Sequence, residues 1–145
     1  MAITFFEEDI DFKLPNRNLH KKWLKEIAKT DVYIISDLNY VFCSDTYLLK
    51  INQDYLDHDT YTDIITFDNS EDEKTIEGDI FISIDRVQEN AKKENVLFEE
   101  ELHRVMSHGL LHLMGYKDKT KEDQIRMRNM EDQSIALFHL VKSST

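Results

Sequence analysis

Glu99–Asp118 reads EEELHRVMSHGLLHLMGYKD, and the rest of the chain is organised around it. His108 and His112 stand four residues apart. In a helix that spacing places them on one face, about 40° apart and ~6 Å along the axis. A single ion can then accept two imidazoles at ~2.0–2.1 Å each. Gly115 ends the helix, since glycine readily takes the left-handed conformation that closes a last turn. Beyond Tyr116 and Lys117, Asp118 supplies a carboxylate that can swing back to the histidines. The pattern H-x3-H-x5-D thus offers two ligands from a helix and one from the loop after it. Three protein ligands leave a position open, as in catalytic rather than structural zinc. The competing reading is a helix with two solvated histidines. The glycine, the following carboxylate and the apolar setting favour a metal site of His108, His112 and Asp118, holding one zinc ion. His20, His103 and His139 lack partners at ligand spacing and should be dispensable for metal.

An absence inside the motif is also informative. Zinc peptidases with H-E-x-x-H carry a glutamate beside the first ligand as general base. Here that position is Gly109, which disfavours such a peptidase. Glycine inside a helix costs ~1 kcal/mol relative to alanine, so Gly109 should answer to close packing or substrate access.

HGLLHLMGYKD resembles the signature HGxLHLxGYDH of the YbeY family of metal-dependent endoribonucleases. Two further stretches fit in the same order. TDIITF at Thr62–Phe67 resembles TDVLSF, and GDIFIS at Gly78–Ser83 resembles GDIxIS. The resemblance covers roughly Leu38 to the end. The family's third histidine falls on Asp118 and the preceding aspartate on Lys117. The arginine of its N-x-x-Y-R segment falls on Leu56, in Asn52-Gln53-Asp54-Tyr55-Leu56. The resemblance implies hydrolysis of single-stranded RNA in the cytoplasm, in maturation of the 3′ end of 16S ribosomal RNA and in ribosome quality control. The ribosome or its small subunit would be the partner. Asp63, Thr66 and Arg104 are then candidate catalytic residues, and with Lys117 they are candidates for lining the cleft.

The chain has 145 residues, enough for one domain with a core that needs no staples. Three glycines and one proline argue against extended linkers. A single cysteine, Cys43, excludes a disulfide framework and a thiolate zinc cluster. It lies in an apolar run and reads as a buried thiol in a reducing compartment. The N-terminus lacks the basic segment and apolar run of a secretory signal. No apolar stretch approaches the ~20 residues of a membrane span. Acidic residues outnumber basic ones 29 to 18, for a net charge of −11. A nucleic-acid binder is expected to show a basic footprint, and a local patch can supply it on an acidic protein. Arg104, Lys117, Lys119, Lys121, Arg126 and Arg128 are the candidates near the motif.

Taken in order, Ile3–Phe6 reads as an opening strand ending in acids. Asn16 is placed to cap a helix whose core face is Leu19, Trp23, Leu24 and Ile27. Val32–Ile35 and Leu38–Phe42 are both strand-like and are separated by Ser36-Asp37; the first is either a separate strand or an irregular helix exit. Ser44 and Asp45 start a helix to about Tyr55. Residues 57–60, including His58, read as loop. Thr62–Phe67 is a β-branched run expected as a buried strand. Asp79–Ile84 is the next strand, and a hairpin joins them across a polar loop. Helices follow over about 85–94 and 98–114, the second with Leu102, Val105, Gly109 and Leu113 against the sheet. Thr120 with Asp123 resembles a capping box for a last helix, with Ile125, Met130, Leu137 and Val141 as core candidates. The pattern predicts an α+β fold, a small mixed sheet packed against helices with the metal cleft at the histidine-bearing helix. Two alternatives to RNA hydrolysis remain at this level. One is a non-catalytic, zinc-stabilised ribosome assembly factor; the other is a metal hydrolase of small molecules.

Overall fold

Alternation in Leu38-Asn39-Tyr40-Val41-Phe42 marks the strand around which the sheet is built. In the computed structural model, which describes residues 2–58 and 60–144, this run lies inside β2 (Ile34–Cys43). Around it the described residues form β1 (Ala2–Glu8), α1 (Arg17–Thr30), α2 (Asp45–Leu56), β3 (Ile64–Asp68), β4 (Thr75–Ser83), α3 (Ile84–Glu94), α4 (Phe98–Leu113) and α5 (Lys121–Ser143). The sheet order is β1-β2-β4-β3. β2 pairs in parallel with β1 and β4, while β3 and β4 form the expected antiparallel hairpin. The architecture is the anticipated α+β layer with a mixed sheet.

Side chains alternate across the sheet, so its two faces carry different cores. Leu38, Tyr40 and Phe42 of β2 join Ile76, Ile80 and Ile82 of β4 in the larger one, with Trp23, Leu24, Met106, Leu110 and Phe138 from helices. Two buried polar tips tie this layer together. The Tyr40 hydroxyl donates to the Met106 carbonyl at 2.8 Å, and the Trp23 indole to the Ser134 carbonyl at 2.8 Å. Cys43, Leu48 and Ile65 make a smaller cluster with Tyr47, Ile51, Phe67 and Phe81, under α2. Cys43 is fully buried there, and burial first, then neighbouring carboxylates, push its thiol up to about 12.

One open reading is settled and three expectations need correction. Of the two strand-like runs before residue 43, the first joins the second from Ile34 onward in a single strand. Its register with β4 shifts between Ile35 and Asp37, so an irregularity at Ser36 absorbs the polar pair without ending the ladder. β3 begins at Ile64 rather than Thr62 and is an edge strand with only Ile65 buried. Asn16 stands at the start of α1 but in a left-handed conformation, with no side-chain cap. On α5, Ile125 is 57% exposed, and the buried stripe is Met127, Glu131, Ser134, Phe138 and Val141. The capping box of Thr120 and Asp123 is present in both directions. His58 is exposed, and Asp59 lies outside the described residues.

Candidate metal centre

Apolar residues at helical spacing turn α4 onto the sheet. Three glutamates in its first turn, Glu99, Glu100 and Glu101, suit the positive end of the helix dipole. Gly109 faces the sheet, not the site. A Cβ there would lie 2.9 Å from Ile64 Cδ1 and 3.0 Å from two Ile80 carbons. Close helix–sheet packing therefore accounts for this glycine, and a glutamate at that position would face the core. His108 and His112 project from the adjoining face and are part-exposed.

The loop after α4 returns Asp118 to them. Gly115 adopts φ 98°, closing the helix as its type predicts. The turn is pinned by two hydroxyls: Tyr33 donates to the Met114 carbonyl and Tyr116 to Asp31 Oδ2, each at 2.8 Å. Gln124 Nε2 holds the Asp118 carbonyl at 3.2 Å. Asp118 Oδ2 then lies 3.2 Å from His112 Nε2 and 3.5 Å from His108 Nε2. The three donor atoms all fall within 4.8 Å of one another. A tetrahedral ion at ~2.0–2.2 Å from its ligands separates them by about 3.3–3.6 Å. The spacing of Asp118 from each imidazole matches, so the donor set fits a small divalent ion.

Glu131 on α5 was not found from the sequence. Its side chain is 7% exposed, and Oε2 lies 2.6 Å from His108 Nδ1. The other oxygen accepts from Arg104 Nη1 at 3.1 Å, and Arg104 Nη2 donates to Asp132 at 2.8 Å. Donation of Nδ1–H to Glu131 is the arrangement that would leave Nε2, on the Asp118 side, to bind an ion. Carboxylate partners of this kind fix the ring and tautomer of a metal ligand. Burial alone would depress the His108 pKa, but the Glu131 hydrogen bond and charge, with Asp118 behind them, raise it. The available signal was a glutamate on the buried stripe of α5, where an acid needs a partner.

His108 and Asp118 open onto a cavity of about 320 Å³, lined also by Asp63, Ile64, Glu101, Arg104, Val105, Arg128 and Glu131. Burial raises the Asp63 pKa, against the opposing charge of His108. Burial likewise raises Glu101. Of the residues anticipated here, Asp63 faces the cavity. Arg104 reaches it but commits both guanidinium ends to acids. Thr66 lines a neighbouring cavity with Asn52, Leu56, His58, Thr60 and Thr62, and Lys117 lines another beyond the loop. His20 and His103 lie apart from the centre, buried against each other with Nε2 atoms 3.1 Å apart.

A sequence model of the family described as "Endoribonuclease YbeY" matches residues 3–139. The chain belongs to this family. The match extends the resemblance from Leu38 back through β1 and α1. The chain is 58% identical over 136 residues to "Endoribonuclease YbeY" of Cytophaga hutchinsonii, covering 94% of this chain and 95% of that protein. It is 49% identical over 138 residues to the protein of that name from Christiangramia forsetii, covering 95% of each. The fold is similar to the solution structure of TM1509 from Thermotoga maritima, with a TM-score of 0.69 at 26% identity. That match covers 99% of this chain and 93% of the other. YbeY is a metal-dependent family, and the His/His/Asp group of this member supplies a donor set of the corresponding kind.

Proposed function

We propose that this chain is a zinc-dependent endoribonuclease that hydrolyses single-stranded RNA, with maturation of the 3′ end of 16S ribosomal RNA and ribosome quality control, in the cytoplasm, as its setting. The observation that carries the metal chemistry is the convergence of His108, His112 and Asp118 at the mouth of a cleft. RNA as substrate rests on family membership. A divalent ion in that position supplies Lewis-acid activation of a phosphodiester and of water. The chain's own residues do the rest. His108 and His112 donate neutral nitrogens, and Asp118 contributes the negative charge. Glu131 holds the His108 ring, and Arg104 holds Glu131. Asp63, with its raised pKa and its place in the same cavity, is the group suited to exchange a proton with substrate. Arg128, at the cavity rim, is suited to meet a phosphate.

The assembly-factor reading needs zinc to hold the fold. Against it, His108, His112 and Asp118 are not members of the main core, and Asp118 is 43% exposed. The test is metal content beside digestion of single-stranded RNA, for the parent, His112→Ala and Asp118→Ala. Chelation should remove cleavage with little loss of thermal stability, and Asp118→Ala should bind zinc more weakly. If chelation unfolds the protein, zinc is structural. If Asp118→Ala holds zinc as tightly as the parent, Asp118 is not a ligand.

A further inference from the structure

The loop that carries Asp118 also walls a second cavity, of about 380 Å³, with a different electrostatic character. The cleft beside His108 is lined by Asp63, Glu101, Asp118 and Glu131, and one of its two arginines, Arg104, is already bound by carboxylates. The second cavity is lined by three cations, Lys74, Lys117 and Arg126. Its two acids are engaged locally: Asp31 accepts the Tyr116 hydroxyl, and Asp123 closes the capping box of α5. Among the described residues, none of the three cations forms an ion pair. Lys74 is fixed in the wall, its ammonium 4.4 Å from the Tyr33 ring centroid and 3.2 Å from the Asp31 carbonyl oxygen. Lys117 directly precedes Asp118, so its Cα is ~3.8 Å from that of a proposed metal ligand. Lys117 and Arg126 are exposed and, among the described residues, make no hydrogen bond, so their charge is available to a ligand.

A single RNA strand carries a phosphate on each side of the one being cleaved. The cleft, with four acids facing the ion and its two arginines, has room for the scissile phosphate but little spare positive charge for a second, whereas the cavity of three cations offers it, and local fields of this kind act whatever the net charge. We propose that the cavity of Lys74, Lys117 and Arg126 is a subsite for the backbone phosphate next to the scissile one. It sets the side of the metal centre on which the strand continues. This rests on the ribonuclease reading above.

The experiment uses the zinc-loaded protein and two substrates: an unstructured oligoribonucleotide and a dinucleoside monophosphate, which has only the scissile phosphate. The Lys117→Glu/Arg126→Glu variant is compared with Lys92→Glu/Lys93→Glu, an equal charge change on α3. The first variant should raise KM on the oligonucleotide about tenfold or more. It should also lower the slope of log kcat/KM against log salt by about one for each cation–phosphate pair removed. The parent's preference for the oligonucleotide over the dinucleoside should disappear with it. The α3 variant should keep that preference. Equal effects of the two variants, or equal losses on both substrates, overturn the subsite. Should the parent cleave neither substrate, the ribonuclease reading itself falls, and the subsite with it.

Discussion

Among the described residues two pairs of histidines touch, and each includes a residue of α4. His103 meets His20 with ring centroids 5.2 Å apart, and His108 meets His112 with centroids 4.6 Å apart. The first pair is sealed against Trp23 and Phe138, the His103 ring lying 3.8 Å from that of Phe138. Its nearest acid, Glu99, is exposed and 4.0 Å away. Burial, then the neighbouring His20, pulls His103 down to about 3. The second pair sits between Glu131 and Asp118, and there His108 is raised. Five residues along one helix separate a neutral packing ring from a proposed metal ligand. The neighbouring carboxylates, not the imidazole, make the difference.

The sharpest way to break this contrast is to remove the rings. His108→Ala with His112→Ala should abolish stoichiometric metal, whereas His20→Gln should leave it intact; elemental analysis of the purified proteins distinguishes the two. A weaker intervention removes the carboxylate and keeps the ring. Glu131→Gln should cost roughly 10–100-fold in metal affinity, measured by titrating the metal-free protein with zinc, because the ring loses its anionic anchor. An affinity within twofold of the parent would reduce Glu131 to a packing residue.

Acid should act on the buried pair. The folded-state pKa of His103 lies below its unfolded value near 6.5, so the unfolded chain binds more protons in that window. Stability from this group is complete above about pH 6.5 and is lost as pH falls towards 3. At pH 5 the loss is about 2 kcal/mol, and His103→Gln should flatten that part of a denaturant-midpoint profile of the metal-free protein. His108 has the opposite sign, contributing below about 6.5 and fading as pH rises through its raised value. The smallest change lies at the outer end of the Glu131 chain. Asp132 is 56% exposed, so Asp132→Asn should shift stability by no more than about 0.5 kcal/mol and zinc affinity hardly at all.

The sequence was most legible where the chemistry is local. His108, His112, Gly115 and Asp118 lie within one turn-and-loop, and geometry over so short a span follows from helix pitch and a glycine. The hairpin, the α4 stripe and the α5 capping box are local in the same sense. What escaped depends on partners far along the chain. Glu131 is 23 residues from His108, and its meaning appears only when α5 crosses α4. On α5 Val141 is buried and Met130 and Leu137 pack partly buried against the core, while Ile125 was misplaced, because Phe138 packing on Trp23 turns the Met127 side of the helix inward. Ser36-Asp37 looked like a break because a strand irregularity leaves no residue-type signature. Gly109 was open between packing and access until Ile64 and Ile80 were seen beneath it.

The buried Cys43 has a practical consequence at the bench. A thiol held up to about 12 and enclosed under α2 stays protonated and shielded, and so slow towards maleimides, spin labels and crosslinkers at neutral pH. The chain is therefore already the background such chemistry needs. A cysteine introduced at exposed Leu56 or Val32 would be the fast-reacting thiol, giving site-specific attachment of a probe without first removing the native one.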